Sequence, residues 1–283
     1  MYSEKIALVA LAFAFVSTAA WNTEAREPLH YTFSNDTTLD VDDVNGTIQI
    51  TGDGGNTIRV EGEKIIRAMS QQEVERAKKE VTLDVNEKDH IAQLYVNGPF
   101  RHGRDSDSDH GFHVHYDDHG YEVTYNLNIH IPRDTELRLR SVNGEIKTEQ
   151  TGGKFDISAV NGAVGMTAAA GSGSVHTVNG RLTVSFRENP KAAVDFKTVN
   201  GAIEAAFPPS LSADLSVKTL NGQVYTDFDT TALAQPAGAA ERKNGKFVFK
   251  PDRHTNVRIG AGGPELKFET VNGEIRIKKE SSK

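Results

Sequence analysis

The sequence predicts an all-β fold and, within that class, a β-solenoid of stacked repeats; an antiparallel meander of Asn-Gly hairpins is the competing arrangement. Three observations predict it. A strand–turn–strand pattern returns seven times, centred on Asn45, Asn143, Asn161, Asn179, Asn200, Asn221 and Asn272. The middle copies are evenly spaced, 18 residues apart from Asn143 to Asn179 and 21 apart from Asn179 to Asn221. A second, glycine-bearing turn lies midway between the closer copies (Thr151-Gly152-Gly153 and Ala170-Gly171). A typical copy is Leu137-x-Leu139-x-Ser141-Val142-Asn143-Gly144-x-Ile146-x-Thr148.

Identity between neighbouring copies favours the solenoid. Stacked strands lie about 4.8 Å apart, so equivalent asparagines sit above one another and their amides can form a ladder. In a meander, equivalent turns are two strands apart, about 9.6 Å, and an Asn gains nothing from matching the next one. The pattern places Leu139, Ile146, Ile157, Val164, Val175, Leu182, Phe196, Ile203, Val217, Val224, Phe268 and Ile275 inside. Arg138, Arg140, Lys147, Glu204 and Lys218 then face water.

Taken in chain order, residues 1–25 read as a secretory signal. Lys5 provides a thin positive region, and the apolar run from Ile6 to Ala20 is short for a membrane span. Cleavage is expected after Ala20 or after Ala25, leaving no further apolar run of spanning length. Residues 26–100 form an N-terminal β part, with alternation at Tyr31, Phe33, Leu39 and Val41, and again at 57–60. The helix candidate covers 70–80: Ser70-x-x-Glu73 is a capping box, and Met69, Val74 and Ala77 supply an apolar stripe. Period-two patterns resume at 81–85 and 91–96, and a degenerate copy ends at Asn97-Gly98-Pro99. Residues 101–120 interrupt the pattern. A strand follows from Tyr121 to Ile131, and the repeat array runs to residue 278, interrupted by an Ala/Gly/Thr/Pro-rich loop at 229–245. Residues 279–283 are a polar tail.

Composition excludes several functions. The chain has no cysteine, so disulfides, thiolate metal sites and cysteine nucleophiles are ruled out. A formal charge of -7 without a basic stripe argues against nucleic acid as a partner. Neither H-E-x-x-H nor G-x-S-x-G nor a phosphate-binding loop occurs, and the expectation is a protein that is not an enzyme. Asp156, Glu204 and Asp214 are scattered carboxylates with no sequence reason to meet, which leaves a polysaccharide-active β-helix enzyme the weakest alternative. Lys147, Lys197 and Lys218 are candidates for one outward row.

Residues 101–120 hold five of the ten histidines and five aspartates. Phe112-His113-Val114-His115-Tyr116 alternates like a strand, which puts His113 and His115 on one face, about 6.6 Å apart. That pair suits a divalent metal, and nitrogen-rich ligation selects Zn, Ni or Cu. His102, Asp109, His110 and His119 complete the candidate ligand set, with Asp117 beside them. Asp105-x-Asp107-x-Asp109 departs from a calcium loop, with Gly111 one position late and Tyr116 where a bidentate Glu is needed. A solvated hairpin tip is the alternative. No cofactor is otherwise required.

Two stretches carry a family resemblance. Tyr125-x-Leu127-x-Ile129-x-Ile131-Pro132-Arg133-Asp134-Thr135-x-Leu137-x-Leu139-x-Ser141-Val142-Asn143-Gly144 and Gly260-x-Gly262-Gly263-x-x-Leu266-x-Phe268-x-Thr270-Val271-Asn272-Gly273-x-Ile275 are similar to the bacterial adhesin-like family of exported β-strand-repeat (Val-Asn-Gly repeat) domains, over roughly residues 30–278. The resemblance implies an exported protein, periplasmic or extracellular, and supplies no catalytic residues. The expectation is a non-catalytic binding or structural surface in the cell envelope. Its partners would be envelope glycan, an envelope protein or a second copy, and metal binding through the His/Asp segment is the alternative.

Overall fold

A computed structural model describes residues 21–34, 38–101, 120–234, 240–243, 246–249 and 254–280. The candidate metal ligands His102, Asp109, His110, His113, His115 and His119 lie outside the described residues, as do residues 1–20 of the expected leader.

The fold is all-β, 67% strand and 5% helical. Before the array come β1 (Thr23–Ser34), β2 (Thr38–Asp53), β3 (Thr57–Ala68), α1 (Gln71–Glu80), β4 (Thr82–Lys88), β5 (Ile91–Asn97) and β6 (Tyr121–Pro132). Strand pairs then flank each Asn-Gly corner: β7 (Leu137–Asn143) and β8 (Ile146–Glu149), β9 (Phe155–Asn161) and β10 (Val164–Ala169), β11 (Gly173–Asn179) and β12 (Leu182–Phe186), β13 (Val194–Asn200) and β14 (Ile203–Phe207), β15 (Ala213–Asn221) and β16 (Val224–Thr226). After β17 (Thr230–Ala232), β18 (Ala240–Lys243), β19 (Lys246–Phe249) and β20 (Thr255–Ile259) comes the last pair, β21 (Glu265–Asn272) and β22 (Ile275–Lys279).

Equivalent strands of neighbouring copies pair in parallel and in register. One face of the array runs β5, the first half of β2, β7, β9, β11, β13, β21, β15. The other runs β6, the second half of β2, β8, β10, β12, β14, β22, β16. Antiparallel strands close the N-terminal end: β4 on β5, then β3 on β6 and β1 on β3. At the other end β20 lies antiparallel on β15, and β17 on β20.

The corners hold the copies in register. Each Asn amide donates to the preceding Asn carbonyl, from Asn143 on Asn45 through to Asn221 on Asn272, at 2.7 to 2.9 Å. Two residues before the Asn, Thr177, Thr198 and Thr270 each donate a hydroxyl hydrogen bond to the preceding corner glycine's carbonyl at 3.1 Å. Thr219 does the same at 3.0 Å. These glycines are required for close approach: a Cβ on Gly180 would lie 1.9 Å from the Gly162 carbonyl oxygen.

The last copy is not at the end of the array. It lies between the Asn200 and Asn221 copies, so Glu269 falls between Lys197 and Lys218 in the register. Lys218 Nζ donates to Glu269 Oε1 at 2.9 Å, and Lys197 Nζ is 4.0 Å from Oε2. Chain order would instead put two lysines opposite each other, and like charges in that position are destabilising. The core agrees: Phe268 stacks on Phe196 with centroids 5.4 Å apart, and Phe186 stacks on Phe207 at 4.9 Å. The Asn221 copy has Val217 opposite Phe268 and no ring to offer.

Two core expectations need correction. Val224 is 43% exposed, because β16 pairs only with β22 among the described residues and nothing stacks beyond it. Met69 is 48% exposed; it precedes the cap, and Val74 and Ala77 alone carry the buried side of α1. The remaining residues expected inside are buried. Ser70 caps α1, its Oγ accepting from the Glu73 N–H at 3.3 Å. The row of Lys147, Lys197 and Lys218 does not form, since Lys147 belongs to β8 on the other face and Glu269 separates the other two.

Candidate functional site

Outward residues of the first face line up across copies by register. One row reads Arg138, Asp156, Ser174, Asp195, Lys267. A second, two residues further along each strand, reads Arg140, Ser158, His176, Lys197, Glu269. Beside the first row, where the strands leave the glycine-bearing turns, a groove of about 540 Å³ crosses five neighbouring copies. Glu136, Lys154, Asp156, Ser174, Asp195 and Lys267 supply most of its functional groups.

Asp195 is the chemically distinct member. Its Oδ1 is shielded from solvent and has no hydrogen-bond partner. Its Oδ2 is 3.9 Å from both His176 Nε2 and Lys267 Nζ. The facing His176 imidazole, with the charges of Lys267 and Lys197, holds the Asp195 carboxyl below the usual carboxylate range. His176 Nε2 also lacks a hydrogen-bond partner. Asp156 is engaged already, accepting from Ser174 Oγ at 2.9 Å. The groove therefore offers a mixed set of carboxylate, cationic and hydroxyl groups, with Asp195 held as a carboxylate.

The three carboxylates singled out from the sequence do not converge. Asp156 lies in the groove, Asp214 binds Arg258 Nε at 2.7 Å, and Glu204 accepts from Lys278 at 2.6 Å. Among the described residues no group of three His, Cys, Asp or Glu side chains is placed to hold a metal. Asp195, His176 and Lys267 were not singled out by sequence reasoning. The signal was available: aligning the copies on their asparagines puts Asp156, Ser174, Asp195 and Lys267 at one position, five residues before each Asn.

No protein-family model matches the chain, and no curated protein matches it. Solved structures do. A candidate cell adhesion protein from Clostridium sporogenes is 14% identical, with a TM-score of 0.43, covering 91% of this chain and 100% of that one. A candidate adhesin from Bacteroides fragilis is 11% identical at a TM-score of 0.36, covering 90% of this chain and 97% of that one. A candidate lipid binding protein from Parabacteroides distasonis is 11% identical at 0.27, with coverage of 90% and 97%. Among the described residues no helix is long and apolar enough to cross a membrane.

Proposed function

We propose that the chain is an exported, non-catalytic β-solenoid that acts in the cell envelope as a binding surface, and that the groove across β7, β9, β11, β13 and β21 is where it binds. The observation that carries this reading is the groove itself, which brings carboxylate, ammonium and hydroxyl groups from five in-register strands to one face. Parallel, in-register pairing gives the lining residues rigid strands to stand on, as a precise site requires. Of the two leader boundaries, cleavage after Ala20 leaves β1 whole, since Thr23 to Ala25 pair with β3.

The test is retention of the purified protein on an insoluble bacterial envelope fraction. Ser174→Arg, which fills the groove from an outward position, should abolish retention with an unchanged melting temperature. Full retention by that variant, matched by an unaltered Lys147→Ala control on the other face, would remove the groove from consideration.

The second reading, metal binding, rests on the sequence of residues 102–119 with their five histidines. Calorimetric titration with Zn, Ni and Cu should then show saturable uptake that is lost in the His113→Ala/His115→Ala double variant. Absence of uptake would leave that segment as a solvated loop.

A further inference from the structure

We infer that the groove's ligand is an extended polysaccharide, uncharged or zwitterionic, lying along the stacking axis with one sugar ring per copy. This rests on the groove being the binding surface. The argument begins with spacing. The lining residues come from five adjacent parallel strands, so equivalent groups repeat every 4.8 Å or so and the row spans about 19 Å. An extended β-1,4-linked pyranose chain advances one ring by a similar distance with alternate rings turned over, so each ring faces one copy and like edges recur at every second copy. An extended peptide does not: its same-side side chains repeat about every 6.7 Å and fall out of step within two copies.

Charge narrows the class further. Glu136, Asp156, Asp195 and Glu265 bring four carboxylates to the groove, against Lys154 and Lys267. With Arg138 paired to Glu136 at one end of the row, the charges are near balance and offer a polyanion no run of cations to bind. Hydroxyls suit the mixture because each can both donate and accept. One donates to Asp195 Oδ2, the solvent-facing oxygen, which stands 3.9 Å from both His176 Nε2 and Lys267 Nζ. Others accept from Lys154 and Lys267, or exchange bonds with Ser172 and Ser174. An amino or acetamido substituent would serve Asp195 equally well. The aliphatic stems of the two lysines and the exposed Ala193 provide the apolar contact that a ring face needs.

The experiment is calorimetric titration of the full mature chain with β-1,4-linked oligosaccharides of glucose and of N-acetylglucosamine, two to six rings long. Heparin fragments and an uncharged extended peptide serve as comparisons. Affinity should rise with each added ring and level off near five. Asp195→Asn should weaken binding roughly tenfold, the equivalent of one charged hydrogen bond, while the β circular-dichroism spectrum is unchanged. Lys147→Ala should bind as the parent does. Affinity independent of length, equal binding of heparin or peptide, or indifference to Asp195→Asn would each overturn the inference. The parent reading fails separately. If no oligosaccharide binds but Ser174→Arg still releases the protein from envelope material, the groove stands and the glycan assignment falls. If Ser174→Arg changes neither, both fall.

Discussion

The two halves of the array solve the same corner in different ways. In the copies centred on Asn179, Asn200, Asn272 and Asn221, a Thr two residues before the Asn donates to the glycine carbonyl of the copy before it. In the copies centred on Asn45, Asn143 and Asn161, that position holds Asp43, Ser141 and Ala159. Asp43 and Ser141 are partners in the register, both are buried, and Asp43 Oδ2 and Ser141 Oγ are without hydrogen bonds. Yet strand register and the Asn ladder are continuous through both halves. The threonine bond is thus an addition to a corner set by two other features, the glycine's close approach and the amide ladder. The Asn45 copy departs from the others in carrying a buried carboxyl where they tolerate only a hydroxyl or a methyl.

The largest expected effect breaks what the halves share. Gly180→Ala places a methyl 1.9 Å from the Gly162 carbonyl oxygen, against rigid backbone. The copies must separate, and the loss should exceed about 3 kcal/mol in chemical denaturation. Gly165→Ala, on a strand face whose nearest neighbour is Lys147 Cγ at 3.8 Å, should leave stability within about 0.5 kcal/mol. Equal effects at the two glycines would show that close approach does not set the corner.

The next prediction concerns the Asp43 carboxyl. Burial is the main cause that raises its pKa from 3.8 to about 7, opposed by the Val44 N–H that donates to Oδ1. A raised carboxyl pKa means that the folded chain holds its proton more tightly than the unfolded chain does. Below about pH 4 both states are protonated and the group carries no penalty. Between pH 4 and 7 the unfolded chain ionises first and stability falls; above pH 7 the penalty is constant. Asp43→Asn keeps the acceptor for Val44 and removes the titration. It should stabilise the protein on the order of 3 kcal/mol at pH 8 and by almost nothing at pH 4. A gain that does not change with pH would mean that ionisation at Asp43 is not the cause.

Thr198→Val then tests the half that has the bond. It keeps shape and leaves the half-buried Gly180 carbonyl without its Thr198 donor, for a loss of about 1 kcal/mol. Ala159→Thr is the converse, offering the Gly144 carbonyl the bond that the Thr-bearing copies make. A gain of a few tenths of a kcal/mol is expected, with any larger loss reporting that the Ala159 corner has no room.

Much of this was legible in the sequence because it is local. Asn-Gly, the alternating apolar positions and the Ser70 cap are decided by residues a few places apart, and the structure has each of them. What was not legible depends on which copies become neighbours. Chain order implies that the Asn221 copy follows the Asn200 copy; Glu269 between Lys197 and Lys218, and Phe268 on Phe196, reverse that choice through contacts between distant segments. Val224 fits the core pattern and is exposed for the same reason, since its copy is terminal. The groove belongs to this class as well. Asp195 and Lys267 are 72 residues apart in the chain and register partners in the sheet, so their pairing follows only once the copy order is known.

The smallest effect bears on the ladder and on that copy order together. Asn179 stands mid-row, donating to Asn161 at 2.9 Å and accepting from Asn200 at 2.8 Å. Asn221 donates to Asn272 at 2.7 Å and has no further copy beyond it among the described residues. Both side chains are exposed, so water replaces part of what a substitution removes, and the net value of each bond is small. Asn179→Ala should cost about 1 kcal/mol and Asn221→Ala about half as much. Asn272→Ala decides the order of copies. With partners on both sides it should match Asn179→Ala; were the last copy terminal, as chain order implies, the two would exchange, Asn272→Ala taking the smaller value and Asn221→Ala the larger. Denaturation midpoints of these three variants, measured side by side, therefore read the order of the stack without a structure.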